Sequence, residues 1–186
     1  SDVCSSDLAG CVTTRRLRFL GKDSMWASKW FGWVLSSLGA IPVTRGSADR
    51  EAMKRAITVL ESGEPLVLFP EGERKSGPIV QPMFDGAVYI ALKAGVPIIP
   101  VGIGGSERVM PKSAKWIYPR KVRVVIGEAI YPNIPDDAGG RVPRSAIAEQ
   151  SATLHAELQR LFDMSMVGVG WSYERETAQD QQATND

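Results

Sequence analysis

Arg45, Glu71 and Arg74 carry charge at places where charge has a use. Each follows closely on a short apolar run: Ile41 to Val43 precedes Arg45, and Pro65 to Phe69 precedes Glu71 and Arg74. In open α/β sheets the loops leaving the carboxyl ends of the strands build the ligand site, so residues just past such runs are placed to converge. Arginine presents a planar fork of donors that matches two oxygens of a phosphate. Gly72, between Glu71 and Arg74, leaves room for the backbone to approach an anion. The chemistry these residues suit is recognition of a phosphorylated molecule. Any one of them alone would be an ordinary surface charge, because exposed ion pairs are common and weak.

Covalent chemistry has fewer candidates. The chain holds a single histidine, His155. Flanked by Leu154 and Leu158 on an amphipathic stretch, His155 reads as structural or solvent-facing. No GxSxG elbow and no Cys/His pair is present, and no metal-ligand spacing or GxxxxGK[ST] loop occurs. Neither a metal nor a resident cofactor is expected.

The elements that must position the charged residues alternate between short apolar runs and helical patterns, which predicts an α/β layer structure with a mostly parallel or mixed sheet flanked by helices. Strands are expected over residues 16–21, 41–43, 65–69, 98–103 and 121–126, the third as a continuous apolar run buried on both faces. A helix is expected over residues 24–38, closed by Gly39. The next starts at a cap on Ser47 or Asp49 and ends at Gly63, with Ala52, Met53, Ala56, Ile57, Val59 and Leu60 as its buried stripe. Two more are expected over residues 86–94, stopped by Gly95, and 145–162.

Composition fits one globular domain: 186 residues, 44% hydrophobic and 23% charged. The formal net charge of +1 argues against a nucleic-acid partner. Cys4 and Cys11 lie too close to the start to form a disulfide framework, which favours a reducing compartment. Residues 1–14 read as foreign or truncated, since Ser1 to Leu8 back-translates into a common sequencing-library adapter. The folded domain is expected over residues 15–163 and a polar, disordered tail over 164–186.

Three blocks in order, Gly39-Ala-Ile-Pro-Val-Thr-Arg45, Phe69-Pro-Glu-Gly-Glu-Arg74 and Val96-Pro-Ile-Ile-Pro-Val101, resemble the second, third and fourth motifs of the glycerol-phosphate and lysophosphatidic acid acyltransferases, over roughly Arg15 to Pro132. The resemblance implies transfer of a fatty acyl group from acyl-CoA or acyl-carrier protein to a hydroxyl of lysophosphatidic acid, giving phosphatidic acid. It implies that Arg45, Glu71, Gly72 and Arg74 serve the acceptor phosphate, with Lys22 as a further basic residue there. Val96, Pro97 and Pro100 would support the acyl-binding region. The alternative is a non-catalytic homologue that binds phospholipid headgroups at the membrane surface.

This sequence departs from the family pattern in three places. Glu73 stands where the family's FPEGTR has threonine, and Asp85 follows Phe84 where a basic residue is usual; both add negative charge near the phosphate site. The family's first motif, HxxxxD, supplies the histidine that takes the acceptor's proton, and it does not occur in these 186 residues. The chain as given is therefore expected to be inactive.

Membrane contact is expected at the cytoplasmic face, peripherally. Trp26, Trp30 and Trp33 recur along one helical face near Lys29, a pattern that serves either packing on the sheet or insertion at the bilayer interface. No apolar run is long enough to span a bilayer.

Overall fold

The computed structural model describes residues 17–22, 33, 39–43, 50–72, 77–109, 118–134 and 141–169. Strands β1 (Arg18–Lys22), β2 (Ala40–Val43) and β3 (Leu66–Val67) form a parallel sheet in the order β2-β1-β3. Phe19 pairs with Ala40 on one side and Val67 on the other, and Lys22 pairs with Val43. The apolar run 65–69 contributes less strand than its composition predicts. Only Leu66 and Val67 pair, both half-buried, and Phe69 is 38% exposed. Pro65 joins through its carbonyl, which accepts from the Arg18 N–H at 2.9 Å, and the ring nitrogen has no hydrogen to return. An unbroken apolar run does not by itself establish that both faces are covered.

Helix α1 (Arg50–Glu61) returns the chain from β2 to β3 and buries Ala52 and Ala56, with Met53, Ile57, Val59 and Leu60 half-buried on the expected stripe. Its two candidate caps, Ser47 and Asp49, lie outside the described residues. Gly63 closes it: the Gly63 N–H donates to the Leu60 carbonyl and the Glu64 N–H to that of Val59, a pair that satisfies two of the helix's last carbonyls. Glu64 then grips Arg18 through two hydrogen bonds, to Nε at 2.5 Å and Nη2 at 3.1 Å, tying this helix end to β1. The pair is partly exposed, so solvent screens much of its attraction. Helix α2 (Gly86–Ala94) ends in the same way at Gly95 and packs against α1.

The second half of the fold is antiparallel. Strands β4 (Val101–Gly104) and β5 (Arg123–Ile126) pair in register from Val101–Ile126 to Gly104–Arg123, preceded by a bridge between Ile98 and Ile130. The expected strand 98–103 thus becomes a bridge and then a strand, and Ile99 between them is 50% exposed. A single helical turn, α3 (Ser106–Val109), follows β4. The parallel layer, the antiparallel pair and the helices together make the mixed α/β architecture that the alternating pattern predicts.

Helix α4 (Arg144–Gly168) lies across β4 and β5 and also meets α2. Its Leu154 is buried with Val88 and Leu92 of α2, and Met83, Ile98, Ile130, Ile147 and Leu158 pack around them. The helix continues beyond Phe162, so residues 164–168, assigned to the polar tail by composition, are helical, with Ser165 and Met166 buried. Two glycines make this docking possible. A Cβ on Gly102 would stand 2.5 Å from the Leu161 carbonyl, and one on Gly104 would stand 2.7 Å from Ser165. Backbone approaches this close leave no room for a side chain.

Of the tryptophan helix expected over residues 24–38, only Trp33 is described. It is helical and 69% exposed. Among the described residues, no helix is long and apolar enough to cross a membrane.

Candidate acceptor site at the carboxyl edge of the parallel sheet

Because β1, β2 and β3 run parallel, their carboxyl ends share one edge. Lys22 is the last residue of β1, opposite Val43 at the end of β2, and Arg45 lies two residues further along the chain. The chain leaving β3 at this edge carries Phe69, Pro70, Glu71 and Gly72. The backbone thus brings Lys22, the segment leading to Arg45 and the Glu71–Gly72 turn to one edge. Arg45, Glu73 and Arg74 lie outside the described residues.

The turn is tightly specified. The Gly72 N–H donates to the Phe69 carbonyl at 3.0 Å, and Gly72 has φ 69°. An L-residue pays about 1–2 kcal/mol in that left-handed region. Space imposes a second demand, since a Cβ on Gly72 would lie 2.7 Å from Cε2 of Phe84. Phe84 is in turn fastened to the same loop, its N–H donating to the Pro70 carbonyl at 2.9 Å. Glu71 is half-buried beside this contact.

The segment from Pro78 to Asp85 runs from this loop to α2 and is held along its length by α4. Gln159 accepts from the Val80 N–H at 2.8 Å and donates to the Pro78 carbonyl at 3.2 Å. His155 Nε2 donates to the Val80 carbonyl at 3.0 Å. Ser151 donates to Asp85 Oδ1 at 2.9 Å. Asp163 accepts from Gln159 Nε2 at 2.9 Å, holding that amide in the orientation the segment needs.

His155 therefore holds backbone, and five positions on, where the family's HxxxxD motif has its aspartate, stands Arg160. Arg160 is instead committed to Glu157 on its own helix, at 2.6 and 2.8 Å. The hydrogen bond from this guanidinium holds the Glu157 carboxyl below its usual range. Asp85, read from the sequence as added negative charge near the phosphate site, accepts a hydrogen bond from the Ser151 hydroxyl. Val96 closes α2 by donating to the Ala91 carbonyl, and Pro97 is exposed. Pro100 is fully buried under α4, its carbonyl accepting from the Gly127 N–H at 2.9 Å. Among the described residues, no cluster of side chains is suited to hold a metal ion.

Sequence reasoning missed the holding function of α4, although the signal was present: Ser151, His155, Gln159 and Asp163 recur every four residues and so form one polar stripe along a helix. It also missed Phe84 as the side chain that requires a glycine at position 72.

Residues 4–104, more than half of the chain, match the family described as Acyltransferase. The match begins upstream of Arg15, where the motif resemblance starts. A chloroplastic 1-acyl-sn-glycerol-3-phosphate acyltransferase of Brassica napus, BAT2, is 30% identical over 122 residues, 64% of this chain and 36% of the relative. The 1-acyl-sn-glycerol-3-phosphate acyltransferase of Bacillus subtilis is 30% identical over 117 residues, 62% of this chain and 55% of the relative. These two alignments span between about a third and just over half of the relatives' own length. The crystal structure of the 1-acyl-sn-glycerophosphate (LPA) acyltransferase PlsC from Thermotoga maritima superposes with a TM-score of 0.64 at 25% identity, covering 83% of this chain and 58% of that one. On the matched residues, the three ordered motifs and the shared fold, this chain belongs to the acyltransferase family.

Proposed function

We propose that the protein to which these residues belong transfers a fatty acyl group from acyl-CoA or acyl-carrier protein to a hydroxyl of lysophosphatidic acid, forming phosphatidic acid for phospholipid biosynthesis at the membrane surface. The reading is carried by the glycine-dependent turn at the carboxyl edge of the parallel sheet, where the third family motif, Phe69 to Arg74, leaves β3. Arg45, Arg74 and Lys22 supply positive charge around the phosphate, with Gly72 giving access to the backbone and Glu71 beside it at the acceptor phosphate. Val96, Pro97 and Pro100 serve the acyl side. An exposed indole at Trp33 suits a peripheral membrane contact. The similarity to 1-acyl-sn-glycerol-3-phosphate acyltransferases supports this acceptor.

In the reaction the acceptor oxygen forms a bond to the thioester carbonyl carbon, the carbon–sulfur bond breaks, and the hydroxyl proton passes by way of a base to the departing thiolate. The sole histidine of residues 1–186 is occupied by the Val80 carbonyl, and a positioned base contributes about 10² to 10⁴ fold. This chain as given should form no phosphatidic acid above background from acyl-CoA and lysophosphatidic acid, measured as product and thiol release. Turnover that survives His155→Ala would show another base at work. The same chain should bind lysophosphatidic acid more tightly than the matching monoacylglycerol, which lacks the phosphate. Equal affinity for the two would count against the acceptor assignment.

A further inference from the structure

We infer that Gln159 and His155 of α4 are positioning residues for the Glu71–Gly72 turn of the acceptor site, acting through the segment Pro78–Asp85 and Phe84. This deepens the acceptor reading above and rests on it. The connection is continuous in the structure. Gln159 and His155 fix both backbone groups of Val80, and Gln159 also fixes the Pro78 carbonyl. Ser151 fixes Asp85 at the far end. Between these anchors Phe84 donates its N–H to Pro70 and lays its ring edge against Gly72.

The consequence concerns the turn at Glu71 and Gly72. Gly72 is held by the Phe69 carbonyl and lies against Phe84, whose segment α4 fixes at Pro78, Val80 and Asp85. A turn fixed before a ligand arrives loses less freedom on binding, and its affinity rises accordingly. The family match covers residues 4–104 only, so the residues of α4 that do this lie outside it. The polar spacing on α4 also explains why this face of an otherwise core-packing helix is hydrophilic: it binds backbone that has no strand partner.

The test uses the whole 186-residue chain with Gln159→Met, which keeps the side-chain volume and removes both hydrogen-bonding groups. Arg160→Met, which removes contacts confined to α4, the ion pair with Glu157 and a hydrogen bond to the Met164 sulfur, is the control. Two quantities are read: amide hydrogen exchange at Val80, Phe84 and Gly72, and affinity for a short-chain lysophosphatidic acid. Losing hydrogen bonds of this kind should accelerate exchange at Val80 and Phe84 by about two- to tenfold and weaken acceptor binding several-fold. The thermal midpoint should stay near that of the control. Unchanged exchange at Phe84, or faster exchange with undiminished acceptor affinity, would overturn the inference. If the unsubstituted chain binds no lysophosphatidic acid, the acceptor reading is what fails, and faster exchange at Phe84 and Gly72 in Gln159→Met still supports positioning of the turn by α4.

Discussion

Replacing Gly102 with alanine should lower the thermal midpoint of the chain by roughly 6–12 °C, the effect of about 3 kcal/mol on a domain of this size. The new Cβ would stand 2.5 Å from both the carbonyl carbon and oxygen of Leu161 and 2.7 Å from the Phe162 nitrogen. All three are backbone atoms inside a helix, so no rotamer change relieves the clash, and α4 must move away from β4. Overpacking of cores commonly costs about 1–3 kcal/mol, and an immovable backbone puts this site at the upper end. Alanine recovers only about 0.4–1 kcal/mol by restricting the unfolded chain. Separation of α4 would also loosen the segment from Pro78 to Asp85, so affinity for the acceptor should fall together with stability. A midpoint within 2 °C of the unsubstituted chain, by circular dichroism, would mean that α4 does not seat on β4 at this distance.

Gly72→Ala should behave differently, costing little stability and much acceptor affinity. Two effects act at this position. The left-handed backbone costs alanine about 1–2 kcal/mol. The contact with Phe84 is softer than the one at Gly102, because it is made by an exposed side chain and not by helix backbone. Either response reshapes the turn that leads into Arg74. Binding of lysophosphatidic acid should weaken at least about tenfold, because a phosphate contact made by a charged group depends on its geometry, while the thermal midpoint falls by only a few degrees. Adding Phe84→Ala removes the clash and leaves the backbone strain, so the double variant divides the two causes. If Gly72→Ala binds the acceptor normally, the turn is not part of the acceptor site.

The sequence reveals most where a local rule decides the outcome. Helix α2 occupies the residues its apolar pattern predicts, and Gly63 and Gly95 close their helices as glycine stops should. The three family blocks fall in order because each is short and sits at a strand end, and the parallel register then places two of them at one edge. Other features depend on contacts between segments far apart in the chain. Whether residues 65–69 are covered on both faces depends on neighbours that the run itself does not encode. The requirement for glycine at position 102 comes from α4, nearly sixty residues later in the chain. The role of His155 was legible only as an exclusion, since its neighbours showed that it lacks an orienting carboxylate but could not show that Val80 is its partner. Composition also ended α4 too early, because Ser165 reads as polar although it lies buried against Gly104. The two arginines proposed to bind the phosphate, Arg45 and Arg74, rest on the motif resemblance and on the placement of the residues that flank them.

The most direct test of the central claim is therefore to titrate the chain and its Arg74→Ala variant with a short-chain lysophosphatidic acid, below its micelle concentration, by calorimetry. A hydrogen bond between charged groups contributes about 1.5–3 kcal/mol, so the account predicts that Arg74→Ala weakens binding by about 10- to 100-fold and leaves the affinity for the phosphate-free monoacylglycerol unchanged. Equal affinity of the two proteins for lysophosphatidic acid would contradict it.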